Sequence, residues 1–181
     1  MYFRHRNRGR DSSVTIIAQE DPICTMAKGI RELAGTLADG QGYFLILLIL
    51  SILSHLVFPV RVVLYAPFTF FGILIIGSGF ILAFWSRSLF LQNRTTMSPY
   101  ESPAFLITTG PFRISRNPAY LAMAAILFGS AVVMGTLAPF VFPVLFIVIT
   151  GTQFIPGEEE RLEMIFGQEY RDYKKRVRRW I

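Results

Sequence analysis

The 181-residue chain has one cysteine, Cys24, which excludes an intrachain disulfide and a cysteine-based metal cluster within one chain; no metal site is expected. Asp, Glu, Lys and Arg are missing from four apolar runs, at about 43–60, 64–85, 119–134 and 137–155. Each such residue at mid-membrane would cost roughly 2.5–3.5 kcal/mol on insertion scales, so their absence is what a spanning helix requires. The opening MYFRHRNRGR is basic but runs into polar residues rather than an apolar core. A flexible cytoplasmic arm is therefore expected there, not a cleavable signal peptide. No repeat or low-complexity tract is evident.

What is present is apolar. With 52% hydrophobic residues and a mean hydropathy of +0.47, the chain is too apolar for an ordinary soluble domain and too short for more than one domain. A spanning helix takes roughly 20 apolar residues. The expected fold is an all-α polytopic membrane bundle of about four transmembrane helices, with the third short and the first two barely separated. Of the 18 Lys and Arg residues, 17 fall before residue 42, in the loop 86–118, or after residue 155; only Arg61 lies elsewhere. By the positive-inside rule those segments and both termini face the cytoplasm, at the inner membrane if the source is bacterial. The net charge of +6 is accounted for by orientation and anionic headgroups, so no nucleic-acid partner is expected.

Two parts are expected: 1–42, a basic arm with an interfacial helix, and 43–181, the membrane domain. In the first, Asp21 caps a helix, Pro22 suits its first turn, Ile23, Met26, Ile30, Leu33 and Leu37 share a face, and Gly40 ends it. In the second, the loop 86–118 is long enough to be functional, and its Phe105, Leu106 and Ile107 favour docking. A tail at 156–181 places Leu162, Phe166, Tyr170, Tyr173, Val177 and Trp180 at helical spacing, as one amphipathic helix or two hinged at Gly167. Its opposite face carries Arg171, Lys174, Lys175, Arg178 and Arg179, and the tail is expected on the cytoplasmic leaflet.

Four features carry chemistry. Gly77 and Gly79 offer a close approach to a flat ligand or to another helix, and helix packing is the commoner use. Arg113, Arg116 and Asn117 precede a helix that Pro118 begins, an anion-attracting place, although both arginines also satisfy the orientation rule. Tyr120 follows as pocket wall or interfacial anchor. Glu158 and Glu159 repel one another at a membrane edge, pointing to a cationic or hydroxyl-rich partner, or to a helix start paired with Arg113 or Arg116. His55 is the one ionisable group inside a run, a functional candidate by default, with nothing near it in sequence to complete a site.

Read together, GPFRISRNPAYL and, one helical hairpin later, EEERLEMIFGQEYRDYKKRV resemble the isoprenylcysteine carboxyl methyltransferase and phospholipid methyltransferase family of membrane enzymes. The resemblance covers roughly 72–181. The family's Arg-His-Pro-x-Tyr-x-Gly corresponds to Arg116, Asn117, Pro118 and Tyr120; its Glu-Glu-x-x-Leu and Phe-Gly-x-Glu-Tyr to Glu158, Glu159, Leu162, Phe166, Gly167, Glu169 and Tyr170; its Gly-x-Gly to Gly77 and Gly79. Asn117 stands for the usual histidine, which leaves an imidazole role there unsupported, and Ala122 for the usual glycine, which narrows the groove.

The resemblance implies S-adenosylmethionine as methyl donor and a lipophilic small molecule or lipid as acceptor, meeting at the cytoplasmic membrane interface. It implies Gly77, Gly79, Asn117, Pro118, Tyr120, Glu158 and Glu159 as cofactor-binding residues, and Arg113 and Arg116 as the pair holding a carboxylate of donor or acceptor. Two other readings remain: an NADPH-dependent membrane reductase of the sterol type, with a related arginine, Asn or His, Pro, Tyr pattern, and a non-catalytic membrane subunit or lipid-binding adaptor.

Overall fold

The computed structural model describes residues 40–58, 62–93 and 105–181, and the expected interfacial helix from Asp21 lies outside them. The described residues form α1 (Gly40–Val57), α2 (Phe70–Gln92), a 3-10 turn (Gly110–Arg113), α3 (Pro118–Met134), a second 3-10 turn (Ala138–Phe140), α4 (Val141–Ile149), a π turn (Thr150–Phe154), α5 (Ile155–Phe166) and α6 (Gln168–Arg176). No β-strand occurs among them. Three helical runs are long and apolar enough to cross a membrane: Gly40–Val57, Phe70–Gln92 and the 29-residue run Ala138–Phe166. The fourth, α3, has 17 residues. At 1.5 Å per residue it is about 25 Å long, slightly short of the hydrocarbon core.

α3 is the hub, with α2 packed along it and α1 and α4 meeting it elsewhere. The α2–α3 contact is made of small residues. A Cβ on Gly72 would stand 2.6 Å from the Gly129 carbonyl oxygen, and one on Gly79 would stand 2.7 Å from Ile126 and 3.0 Å from the Ala122 carbonyl oxygen. Such positions let membrane helices approach backbone to backbone, where dispersion replaces the hydrophobic drive that lipid does not supply. The other side of α2 presents Phe71, Leu74, Ile81 and Phe84 outward, as a lipid-facing helix should. The α1–α3–α4 seam closes on Leu47, Ala124, Leu127 and Phe146, and the Phe44 ring meets Phe146 edge-on.

Three sequence expectations are corrected. The second span begins at Phe70 rather than 64, because Val63 and Leu64 donate their N–H groups to the Gly135 carbonyl and stay out of the helix. It also continues to Gln92, so the loop expected at 86–118 starts later: Arg87 ends the apolar run without interrupting the backbone ladder. At the tail, the boundary at 156 falls inside a continuous helical run. The turn expected at Gly135 is present. Gly135 caps α3 at φ +66°, and a Cβ there would stand 2.6 Å from the Leu64 carbonyl oxygen. Beside it His55 Nδ1 lies 2.9 Å from the Thr136 hydroxyl, which gives the in-span histidine a partner at the α3–α4 turn.

The tail is two short helices broken at Gly167, whose φ of +54° suits glycine. Its apolar face is not left for lipid: Tyr170 and Tyr173 close on Leu106, with Leu162, Phe166 and Val177 around them. The loop and the tail thus complete each other's core. Leu106 and Ile107 dock as expected from their apolarity, while Phe105 stays exposed.

Candidate functional site

The site begins with two prolines. Pro118 opens α3 with Asn117 as its N-cap residue, so the chain enters the helix from the arginine segment in one turn. Pro156 follows the π turn Thr150–Phe154. It lacks the N–H needed to bond the carbonyl four residues earlier, and its ring crowds that carbonyl, a sufficient cause for the helix to widen just before it. The widening leaves the Gly151 carbonyl open to an outside donor. Arg179 Nη1 supplies it at 3.3 Å.

On this frame α3 and α5 bring the arginine corner and the acidic pair together. Tyr120 donates its hydroxyl to Glu158 Oε1 at 2.7 Å. Its ring lies against the start of α1, with the phenol oxygen 2.7 Å from where a Gly40 Cβ would stand. Glu159 is buried, only 3% exposed. Arg116 Nη2 reaches its Oε1 at 3.0 Å, Arg179 grips it through Nε and Nη2 at 3.2 and 3.0 Å, and Lys174 Nζ lies 3.7 Å away. One buried carboxylate thus collects three cations. The Arg116 side chain is 8% exposed, and its Nε and Nη1 have no hydrogen-bond partner among the described residues. Buried guanidinium nitrogens are rarely left that way, so three N–H hydrogens in the corner await an acceptor.

The C-terminal segment reaches the same corner. Arg116 N–H donates to the Arg178 carbonyl at 3.0 Å, Ser115 Oγ to the Arg179 carbonyl at 3.0 Å, and Asn117 Nδ2 to that same carbonyl at 3.5 Å. Beside it a groove of about 660 Å³ opens between Pro156, Glu163, Met164, Lys174 and Arg179. Of the sequence candidates, Arg116, Asn117, Pro118, Tyr120, Glu158 and Glu159 share this corner. Arg113 does not: it is exposed, at the end of the first 3-10 turn. Gly79 faces α3, and Gly77 has open space where a side chain would be. Sequence reasoning missed Ser115, Lys174 and Arg179. The signal for Arg179 was Glu159 itself, since a carboxylate that far from water demands cations.

Below the acidic pair the phenol of Tyr170 is pushed up to about 12, first by burial and then by the charge of Glu159. Burial likewise raises Tyr173, whose hydroxyl donates to the Phe112 carbonyl at 2.7 Å. Both stay neutral at physiological pH. A folded-state value above the unfolded one means the native state holds its proton more tightly. This stability is complete below about pH 10 and is lost as pH rises through about 12. Tyr170→Phe is therefore expected to flatten the alkaline limb of a stability–pH profile by roughly 1–3 kcal/mol between about pH 10 and 12, measured by denaturation in detergent. A limb as steep as wild type would remove the role given to this phenol.

The phospholipid methyltransferase family model matches residues 67–169, more than half of the chain; it covers the first motif segment whole and the second as far as Glu169, and ends before the C-terminal segment. An uncharacterized protein of Haemophilus influenzae is 37% identical over 62 residues, which are 34% of this chain and 98% of that relative. No solved structure matches. Apolar spanning helices, the Arg-Asn-Pro-x-Tyr corner joined to the Glu-Glu pair, and the family match agree: the chain belongs to the phospholipid methyltransferase family and is an integral-membrane methyltransferase.

Proposed function

We propose that this protein transfers a methyl group from S-adenosylmethionine to a lipophilic acceptor, such as an isoprenylcysteine carboxylate or a phospholipid amine, at the cytoplasmic face of the membrane. The observation that carries this reading is the buried Arg116 guanidinium with two unpartnered nitrogens, set beside carboxylates at Glu158 and Glu159. The donor's amino-acid end offers a carboxylate, which suits the open N–H groups of Arg116, and its ammonium and ribose hydroxyls suit carboxylate acceptors. The residues present therefore fit the group.

When bound, S-adenosylmethionine supplies a methyl group on a sulfonium whose charge is consumed in the transfer. The protein's part is to bind and align. Arg116 holds the carboxylate end, and Glu158, steadied by Tyr120, takes hydroxyl or ammonium hydrogens. Asn117 and Pro118 fix the entry to α3 that forms the wall. Gly77 has room for a flat ligand, whereas the space at Gly79 is taken by Ile126 and Ala122, so its contribution is close packing of α2 on α3. Arg113 is exposed and outside this corner, so any role it has is toward the acceptor's carboxylate rather than the donor's. Alignment of this kind can supply up to roughly 7–11 kcal/mol without a protein nucleophile. The cytoplasmic assignment rests on the distribution of Lys and Arg.

The test is titration of the demethylated product, S-adenosylhomocysteine, into purified protein, with transfer of labelled methyl into a total lipid extract as the activity readout. Glu158→Gln is expected to weaken binding about tenfold or more, the loss of a charged hydrogen-bond acceptor. Unchanged affinity in that variant would remove Glu158 from the site. Binding of NADPH instead would replace the reading with a reductase.

A further inference from the structure

We propose that residues 177–181 form a displaceable strap over the donor site, in which the Arg179 guanidinium stands on Glu159 as an internal substitute for the donor's cationic end. This rests on the reading of the corner as a donor site.

The chain leaves α6 after Arg176 and turns extended at Val177, φ −122° and ψ 133°. From there its polar contacts with the described residues fall on the corner or the π turn. Arg116 N–H, Ser115 Oγ and Asn117 Nδ2 hold the Arg178 and Arg179 carbonyls. The Arg179 side chain forks onto Glu159, with Nη1 on the Gly151 carbonyl, and the Trp180 indole lies 3.7 Å from where a Gly151 Cβ would stand. A guanidinium on a carboxylate, beside a second guanidinium with open N–H groups, holds the place of an ammonium whose carboxylate partner would go to Arg116. Asn117, where the family has histidine, here ties down the strap.

The charges make the strap removable. Arg116 stands 3.0 Å from Glu159 and does not belong to the strap, so withdrawal of Arg179 leaves the buried carboxylate a counter-ion. The Arg179 side chain is 37% exposed, so its guanidinium regains water when it leaves, whereas Arg116, at 8%, stays on the buried carboxylate. Nothing in α3 or α5 needs to move; the hinge is Val177. The strap then lowers apparent donor affinity by the fraction of time it is closed.

Trp85 and Trp180 are the two tryptophans, so a Trp85→Phe background leaves Trp180 as reporter. Acrylamide quenching of Trp180 and S-adenosylhomocysteine affinity are measured in that background with Arg179 intact and with Arg179→Ala. The expected result is that S-adenosylhomocysteine makes Trp180 more quenchable. Arg179→Ala should do so without ligand and bind about fivefold tighter. If the ligand binds and Trp180 is no more accessible, or Arg179→Ala binds more weakly, Arg179 is a fixed part of the site and the strap proposal falls. If neither protein binds S-adenosylhomocysteine, the donor reading falls and takes the strap's role with it.

Discussion

Glu159→Gln is expected to cost about 3–5 kcal/mol of stability and abolish methyl transfer, the largest effect of any single polar substitution in this chain. The cause is what it leaves behind. Arg116, at 8% side-chain exposure, would keep its charge with no counter-ion of comparable burial, while Lys174 and Arg179 would still press on it from the rim. Removing one partner of a buried pair is far worse than removing both, so Glu159→Gln combined with Arg116→Met should recover much of the stability and none of the activity. Glu163→Gln is the control: its pairs with Arg171 and Lys174 are partly exposed, and the expected change is below about 1 kcal/mol. Denaturation in detergent ranks all three. A Glu159→Gln protein as stable as the Glu163→Gln control would show that this carboxylate does not hold the corner.

The second large effect belongs to the small-residue seam. Gly129→Leu puts a side chain where even a Cβ would stand 2.8 Å from the Gly72 carbonyl oxygen and 2.9 Å from the Ile76 nitrogen, and backbone cannot yield as a flexible side chain can. Overpacking a core costs about 1–3 kcal/mol when neighbours can adjust; with helix backbones forced apart, loss of the folded protein is expected. Gly77→Ala should behave oppositely, because nothing lies within 4 Å of a Cβ there. Relieving an interior helix of glycine stabilises it by up to about 1 kcal/mol. Yield and monodispersity after extraction distinguish the two. If Gly129→Leu purifies as wild type does, the α2–α3 approach described above is wrong; if Gly77→Ala fails, Gly77 has a neighbour outside the described residues.

The two glycines of the Gly-x-Gly show why a motif alone did not settle placement. On a helix, positions two apart point in nearly opposite directions, so one facing α3 obliges the other to face away. Pattern reading found both and had no means of saying which faced inward. The tail shows the same limit. Its apolar spacing was legible as an amphipathic helix with a break at Gly167, but the surface that receives Tyr170 and Tyr173 is Leu106, more than sixty residues earlier. Arg113 and Arg116 were equivalent in sequence; the 3-10 turn ends on Arg113 and leaves it exposed, while Arg116, three residues further on, reaches Glu159.

By itself, the order of residues determined the class of molecule. Apolar runs without charge must become helices in lipid, because no other open structure satisfies the backbone there, and the two motif segments name the family. Only the tertiary structure decided which cations neutralise Glu159, which glycine packs, and where the last five residues go. Those outcomes depend on side chains from distant segments meeting at one place, and a buried charge accepts whichever partner the packing of α3, α5 and the C-terminal strap delivers within about 3 Å.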